Sequence, residues 1–229
     1  MITPKPNKHE LRTKETRERL LSAAEEIFVR DGYADADLEE IAKLAGRTKG
    51  AIYAQFKSKE DIFLALVEQH VLRYRTQLQE ALGRSTSVEQ NREAFRQFYL
   101  SLSQDHTWNI LMLEFKLFAI RHPQAKKRFQ RFYAKLVSSD HEERLSALLG
   151  PADKGEAALS HSQAVQVLES LLAGLCLEAS FDSHLGKDVP MIVAARVFDA
   201  LLEVPQSQMT PARRRDAASA SGMGSNGRH

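Results

Sequence analysis

Apolar positions along this chain recur every three to four residues, the period of a helix with one buried face. Leu20, Ala24, Ile27 and Phe28 make one such stripe, with Arg17, Arg19, Glu25, Glu26 and Arg30 on the other faces. The spacing predicts a helix from about Thr13 to Arg30, closed at Asp31-Gly32 with Gly32 as a left-handed cap. Asp37-Leu38-Glu39-Glu40 opens a second helix. Asp37 takes orphan N–H groups there while Glu40 reaches back, in the manner of a capping box. The apolar stripe Leu38, Ile41, Ala42 and Ala45 ends at Gly46. Thr48 caps a short third helix whose Ile52 and Phe56, four apart, face the core. Ser58-Lys59-Glu60-Asp61 is a further start signal. A long helix follows, bearing Ile62, Phe63, Leu66, Val67, Tyr74 and Leu78 and ending near Gly83.

The same period continues. Ser87 with Gln90 opens a helix carrying Phe95, Phe98, Tyr99 and Leu102, and Thr107 opens another with Leu111, Met112, Phe115 and Phe118. That helix stops at His122-Pro123, and Pro123 suits the first position of the next. The next carries Phe129, Phe132, Tyr133, Leu136 and Val137 and is expected to run to Gly150-Pro151. Segments 160–181 and 190–202 are apolar around much of their circumference. No strand-like alternation or hairpin signal interrupts the series, so the fold class is all-α. Residues 1–12 look like a loose, flexible polar arm, and residues 205–229 bury almost nothing and are expected to be a disordered tail.

Composition narrows the class. The 229 residues are 43% hydrophobic and 27% charged, ordinary for a soluble globular protein. No apolar run approaches the ~20 residues that span a bilayer, and the first residues lack the apolar core of a signal peptide. A cytoplasmic protein without membrane partners is the expectation. The lone Cys176 excludes an internal disulfide, and the eight histidines show no metal-ligand spacing. The tail spells G-x-G-x-x-G at Gly222, Gly224 and Gly227, but without a flanking strand or helix it is no dinucleotide site. No nucleophile–base set is visible. No metal, cofactor or enzyme activity is therefore expected. The net charge is only +2, and the first 60 residues hold twelve Lys and Arg against twelve minus one acidic groups. Any nucleic-acid case rests on where the charges point.

The stretch AGRTKGAIYAQF, residues 45–56, points them. A capped helix, a glycine turn and a short helix in that order form a helix-turn-helix, whose second helix enters the major groove. Gly50 and Ala51 let the backbone come close to DNA. Thr48 and Lys49 bring a hydroxyl and a charge to a helix N-terminus. Tyr53 and Gln55 lie away from Ile52 and Phe56, free to bond phosphates or bases, and Lys57 and Lys59 can clamp a second phosphate. Arg47 completes the candidate DNA-binding set.

These residues resemble the N-terminal domain of TetR-family transcriptional regulators. The resemblance rests on Ala45-Gly46, Thr48, Lys49-Gly50, Tyr53, Phe56 and Lys59 and covers roughly residues 13–66. Arg47 stands where the family usually has an apolar residue, and Ala54 and Gln55 replace aromatic or histidine residues common there. Ala51 occupies a position often taken by threonine. The resemblance implies a three-helix DNA-binding domain at 13–58 and a helical effector-binding and dimerisation domain at 59–204. It also implies an effector pocket among the aromatic helices, for which Phe95, Tyr99, Trp108, Met112, Phe115, Tyr133 and Cys176 are the candidates. Cys176 enters as a small buried apolar residue rather than a reactive thiol. The implied protein is a homodimer, paired through 160–181 and 190–202, that represses from a palindromic operator in double-stranded DNA. A small, largely hydrophobic effector would release it. An activator, or a ligand-independent regulator controlled by a protein partner, is the alternative.

Overall fold

Asn7 starts the first helix, α1 (Lys8–Asp35), earlier than the apolar stripe does. Its side chain accepts the backbone N–H groups of His9 and Glu10, while the Glu10 carboxylate accepts the N–H of Asn7 at 2.9 Å. This capping box recruits polar residues into helix, so 8–12 are not a loose arm. The computed structural model describes residues 7–83, 87–102, 104–136, 141–151, 159–181 and 188–202. Residues 1–6, and the tail expected at 205–229, lie outside them.

Gly32 breaks α1 without ending it. Its backbone (φ 78°, ψ 169°) is not the expected left-handed cap but an extended conformation of positive φ, open essentially to glycine alone. After this kink come α2 (Leu38–Leu44) and α3 (Lys49–Gln55). Asp37 caps α2 by accepting the N–H of Glu39, but Glu40 does not complete a capping box, because Arg30 holds its carboxylate at 2.7 Å. Between α2 and α3, the Gly46 N–H bonds the Lys43 carbonyl and the Arg47 N–H bonds the Ala42 carbonyl. That is a Schellman turn, and Gly46 (φ 64°) supplies the left-handed residue it needs.

The long helix α4 (Lys59–Leu82) is capped by Ser58, whose hydroxyl accepts the Asp61 N–H. Then follow α5 (Val88–Leu102), α6 (His106–Arg121), α7 (Pro123–Leu136), α8 (His141–Leu149), α9 (His161–Phe181) and α10 (Val189–Leu202). Pro123 opens α7 as expected. Of the helix expected to continue to Gly150, the described residues form two elements, α7 and α8, and residues 137–140 lie outside them. No strand occurs among the described residues.

Two apolar cores organise these helices. The first joins α1–α4 to α6: Leu20, Ile27, Phe28, Tyr33, Ile41, Ile52 and Phe63 are packed with Trp108, Leu111 and Phe115. Phe63 stacks on Phe115 at 4.3 Å between centroids, and Tyr33 meets both rings edge-on at 5.1 and 4.9 Å. Each such ring contributes about 1.5–3 kcal/mol by leaving water. The second core brings Phe95 and Tyr99 of α5 against Leu145 and Leu149 of α8, Leu168 and Leu172 of α9 and Phe198 of α10. An Arg96–Asp199 pair at 2.6 Å ties α5 to α10. By length and composition α9 could span a membrane, contrary to the expectation that no segment would. Here its Ala164, Leu168, Leu172 and Cys176 face is buried in the protein.

Candidate DNA-binding face and effector cavity

The core holds α3 by Ile52, fully buried, and by Phe56 at its C-cap. Because these two face inward, Thr48, Lys49, Gly50 and Tyr53 face outward, and Tyr53 keeps 53% of its surface exposed. Thr48 stands at the N-cap but its hydroxyl makes no capping hydrogen bond. The expected cap is therefore positional only, and the hydroxyl is left beside the helix N-terminus. Gly50 has no positive φ, and a Cβ there would meet only the Thr48 hydroxyl at 3.7 Å. Nothing in the fold requires glycine at 50, which suits a need for close approach from outside.

The charges are less simply disposed. Lys49 pairs with Glu39 on α2 at 3.2 Å, and that hydrogen bond raises its pKa. A phosphate must compete with Glu39 for it. Arg47 is half-buried, its Nη1 donating to the Gly46 carbonyl at 3.1 Å. Ala51 and Gln55 are half-buried at the edges of α3, while Lys57 is exposed.

Lys59 departs from the expected phosphate clamp. Its ammonium donates to the carbonyls of Ala34 and Ala36 at 2.7 and 3.1 Å and lies 5.3 Å from the Tyr33 ring centre. Burial lowers its pKa. Lys59 thus fastens the start of α4 to the end of α1, satisfying carbonyls that the end of α1 leaves without helical partners. Arg17, which the pattern places on a solvent face, stacks over the Phe56 ring at 4.5 Å. It links α1 to the end of α3, a contact between distant segments that no local spacing reveals.

A cavity of about 270 Å³ lies between the two cores, walled by α4, α5, α6, α7 and α9. Of the residues expected around an effector, Phe95, Tyr99, Trp108, Met112 and Tyr133 line it. Phe115 and Cys176 do not. Phe115 turns into the first core against Phe63 and Phe129. Cys176 is fully buried behind the wall, its Sγ 3.6 Å from the Asn109 amide, and burial pushes its pKa up.

The sequence reading passed over much of the remaining lining. His70, Tyr74, Phe98, Asn109, Gln166 and Glu169 also face the space, with Lys116 among them. Tyr133 points its hydroxyl at Glu169, 3.5 Å away. Glu169 lines the cavity and keeps exposed surface. Burial raises its pKa, against the opposing pull of Lys116 and the Tyr133 hydrogen bond. Its signal in the sequence was an acid set within the otherwise apolar 160–181 segment. Burial likewise raises the Tyr133 hydroxyl to about 12. The cavity is therefore apolar over most of its wall, with Tyr133, Gln166, Glu169 and Lys116 grouped as polar lining. Among the described residues no cluster of His, Cys, Asp and Glu could hold a metal ion.

Residues 20–66, which contain the helix-turn-helix and the first turns of α4, match the pattern of the bacterial regulatory proteins, tetR family. This segment of the chain is similar to the DNA-binding domain of the TetR family. It is 36% identical over 101 residues to the HTH-type transcriptional activator FasR of Mycolicibacterium smegmatis, a match covering 44% of this chain and 46% of that protein. It is 49% identical over 53 residues to the HTH-type transcriptional repressor BepR of Brucella suis, covering 23% of this chain and 25% of that one. The chain thus matches less than half the length of either relative. Similarity of fold extends further than these alignments. A crystal structure of the regulator FadR from Bacillus subtilis in complex with stearoyl-CoA superposes with a TM-score of 0.55. At 20% identity it covers 81% of this chain and 97% of that one.

Proposed function

We propose that this protein is a DNA-binding transcriptional regulator, a repressor released from a palindromic operator by a small, largely hydrophobic effector. The observation that carries this reading is the double duty of α4. It gives Ile62, Phe63 and Leu66 to the core of the DNA-binding domain, while its Val67, His70, Val71, Tyr74 and Leu78 wall the cavity. A ligand in that space presses on the helix that carries the helix-turn-helix.

The outer face of α3 supplies the DNA contacts: Thr48, Lys49 and Tyr53 toward phosphates and base edges, Gly50 and Ala51 permitting the approach, and Lys57 at the C-terminal edge. Arg47 and Gln55 join them if their side chains swing outward on binding. A homodimer forms on the outer face of α9 and α10. Val167, Leu177 and Phe181 are exposed on α9, Phe181 at 82%, and Met191 and Ile192 are exposed on α10. Gly174, on the same face of α9, has nothing within 4 Å of where a Cβ would stand, leaving room for a partner helix. Two recognition helices must then meet half-sites roughly 34–36 Å apart or at multiples of this, so a small change in their separation breaks register. The effector acts through its differential affinity for the two separations. The largely apolar wall suits an apolar body, and an acyl chain of the kind carried by the stearoyl-CoA bound to FadR is one occupant of that chemistry. The similarity to FasR, an activator, favours the alternative that the DNA-bound form promotes transcription.

The test is a gel-shift titration of the full chain against its own upstream DNA at two salt concentrations, followed by transcription from that fragment in vitro. Selective binding that weakens with salt and lowers transcription supports the repressor. Selective binding that raises transcription supports the activator. Equal, weak binding to every duplex leaves only nonspecific electrostatics and refutes both.

A further inference from the structure

His70 is unusual among the cavity residues because its ring belongs to three helices at once. It sits on α4, keeps 3% of its surface exposed and lines the cavity. Its imidazole lies flat on the indole of Trp108 of α6, centroids 3.5 Å apart and planes 5° from parallel. Its Nε2 is 2.8 Å from the carboxylate of Glu25 on α1. Arg73 Nη2 lies 2.7 Å from Nδ1 and 2.9 Å from Nε2. With Nδ1 accepting from Arg73, Nε2 carries the proton donated to Glu25. That bond is the leading reason the Glu25 carboxyl sits below its ordinary pKa.

We propose that His70 is the positioning residue that couples cavity occupancy to the DNA-binding domain, by holding Glu25 of α1 only while its ring is stacked on Trp108. This rests on the regulator reading above. Trp108 also lines the cavity, so a ligand packed against the indole shifts the surface on which His70 lies. A planar ring bonded edge-on has little tolerance: hydrogen bonds weaken steeply as their angle falls from about 150° towards 120°. Glu25 can take water when released, since its side chain is 37% exposed, so the unbonded state is accessible. Two discrete arrangements of one side chain are thus available, and coupling needs such an element. Beyond Glu25 the connection is mechanical. Two turns earlier on the same helix, Arg17 stacks over Phe56 at the end of α3. A displacement of α1 therefore reaches the recognition helix.

The other ties between the domains run elsewhere. Glu114 of α6 accepts the Tyr33 N–H at 3.0 Å, and Arg128 of α7 pairs with Asp61 and donates to the Ser58 hydroxyl at 3.0 Å. None of these five residues lines the cavity.

Trp108 is the only tryptophan in the sequence, so it reports on its own environment. The experiment uses the full chain, the duplex it selects in gel shifts, and N-phenyl-1-naphthylamine, a neutral apolar fluorophore that accepts energy from tryptophan. Probe affinity is measured with and without the duplex in wild type, Glu25→Ala, His70→Gln and Arg128→Ala. Coupling is reciprocal, so DNA must weaken probe binding by the same factor as the probe weakens DNA binding. The expected wild-type factor is about tenfold, within the usual range of 5 to 150. It falls to within about twofold of unity in Glu25→Ala while probe affinity without DNA stays unchanged. It falls likewise in His70→Gln, with altered Trp108 emission, and persists in Arg128→Ala. Coupling that survives in Glu25→Ala, or wild-type DNA binding that leaves the probe untouched, overturns the proposal and leaves the regulator reading standing. A wild type that selects no duplex overturns that reading, and the coupling role falls with it.

Discussion

The Glu114 carboxylate reaches from α6 to the kink in α1, accepting the Tyr33 N–H at 3.0 Å and lying where a Cβ on Gly32 would approach it to 2.8 Å. One side chain thus serves a backbone donor that the break in α1 frees, and it fills the space that the missing side chain leaves. Gly32→Ala meets two costs, a forbidden backbone conformation and a collision. We expect it to destabilise the protein by about 1–3 kcal/mol from the backbone alone. In a Glu114→Ala background the collision disappears and the backbone cost remains. Urea denaturation of the two singles and the double separates these contributions.

On the DNA-binding face, the competition between Glu39 and a phosphate for Lys49 has a measurable sign. Glu39→Gln releases the lysine and is expected to tighten operator binding severalfold. Lys49→Ala should weaken binding across all sequences and reduce the slope of log affinity against log salt by about 1. Fluorescence anisotropy at several salt concentrations reads both effects. An unchanged slope in Lys49→Ala removes that residue from the phosphate contacts.

Acid will loosen the second core at the start of α9. Glu142 of α8 accepts the backbone N–H groups of His161 and Ser162 at 3.0 and 2.8 Å and the Ser162 hydroxyl at 2.7 Å. Burial opposes the charge, but these donors outweigh it and bring the carboxyl from 4.5 down to about 2. A depressed carboxylate stabilises the fold fully above its unfolded pKa and loses that contribution as pH falls through the folded one. The wild type should therefore lose stability relative to Glu142→Gln between roughly pH 4.5 and 2. Urea midpoints across that range test it, and parallel curves for the two proteins would refute it.

Glu169 carries the opposite sign. Its pKa is raised by burial, so on raising pH the unfolded chain ionises before the folded one does, and each step above the ordinary 4.5 favours unfolding. Glu169→Gln should be the more stable protein at neutral pH, with the advantage vanishing in acid. Thermal melts at pH 4 and pH 7.5 decide it. A variant less stable at both pH values would show that Glu169 is needed as a charge.

Tyr33 supplies a test of the first core. Its ring packs among Phe28, Phe63 and Phe115, but its hydroxyl has no hydrogen-bond partner among the described residues. A buried unsatisfied group costs about 1–3 kcal/mol. Tyr33→Phe keeps the packing and should raise stability by about 1 kcal/mol, read from the urea midpoint.

Most of the helices were legible because each carries its own signals. Asp37 and Ser58 cap where their sequence positions predict, Gly46 turns the chain, and Pro123 opens α7. α7 and α8 were read as one helix, although no apolar residue falls between Val137 and Leu145. Of the candidate site, the outward orientation of Thr48, Lys49, Gly50 and Tyr53 was legible because the inward faces of Ile52 and Phe56 fix which way α3 points. Lys59 could not be read correctly, since its partners are carbonyls more than twenty positions away. The same holds for the cavity. Phe115 and Met112 share one helix and both are apolar, and only the packing of α6 against α4 and α7 sends one into the core and the other to the wall.

The cluster of Tyr33, Phe63 and Phe115 limits the modularity of this chain. Its rings come from α1, α4 and α6, so no cut after Ser58 divides the chain without also dividing the cluster. A chimera that grafts residues 1–58 onto the effector domain of a TetR-family regulator would seat Tyr33 against foreign side chains. A transplant meant to bring a new operator to an old sensor has to carry Phe63 and Phe115 along with the helix-turn-helix.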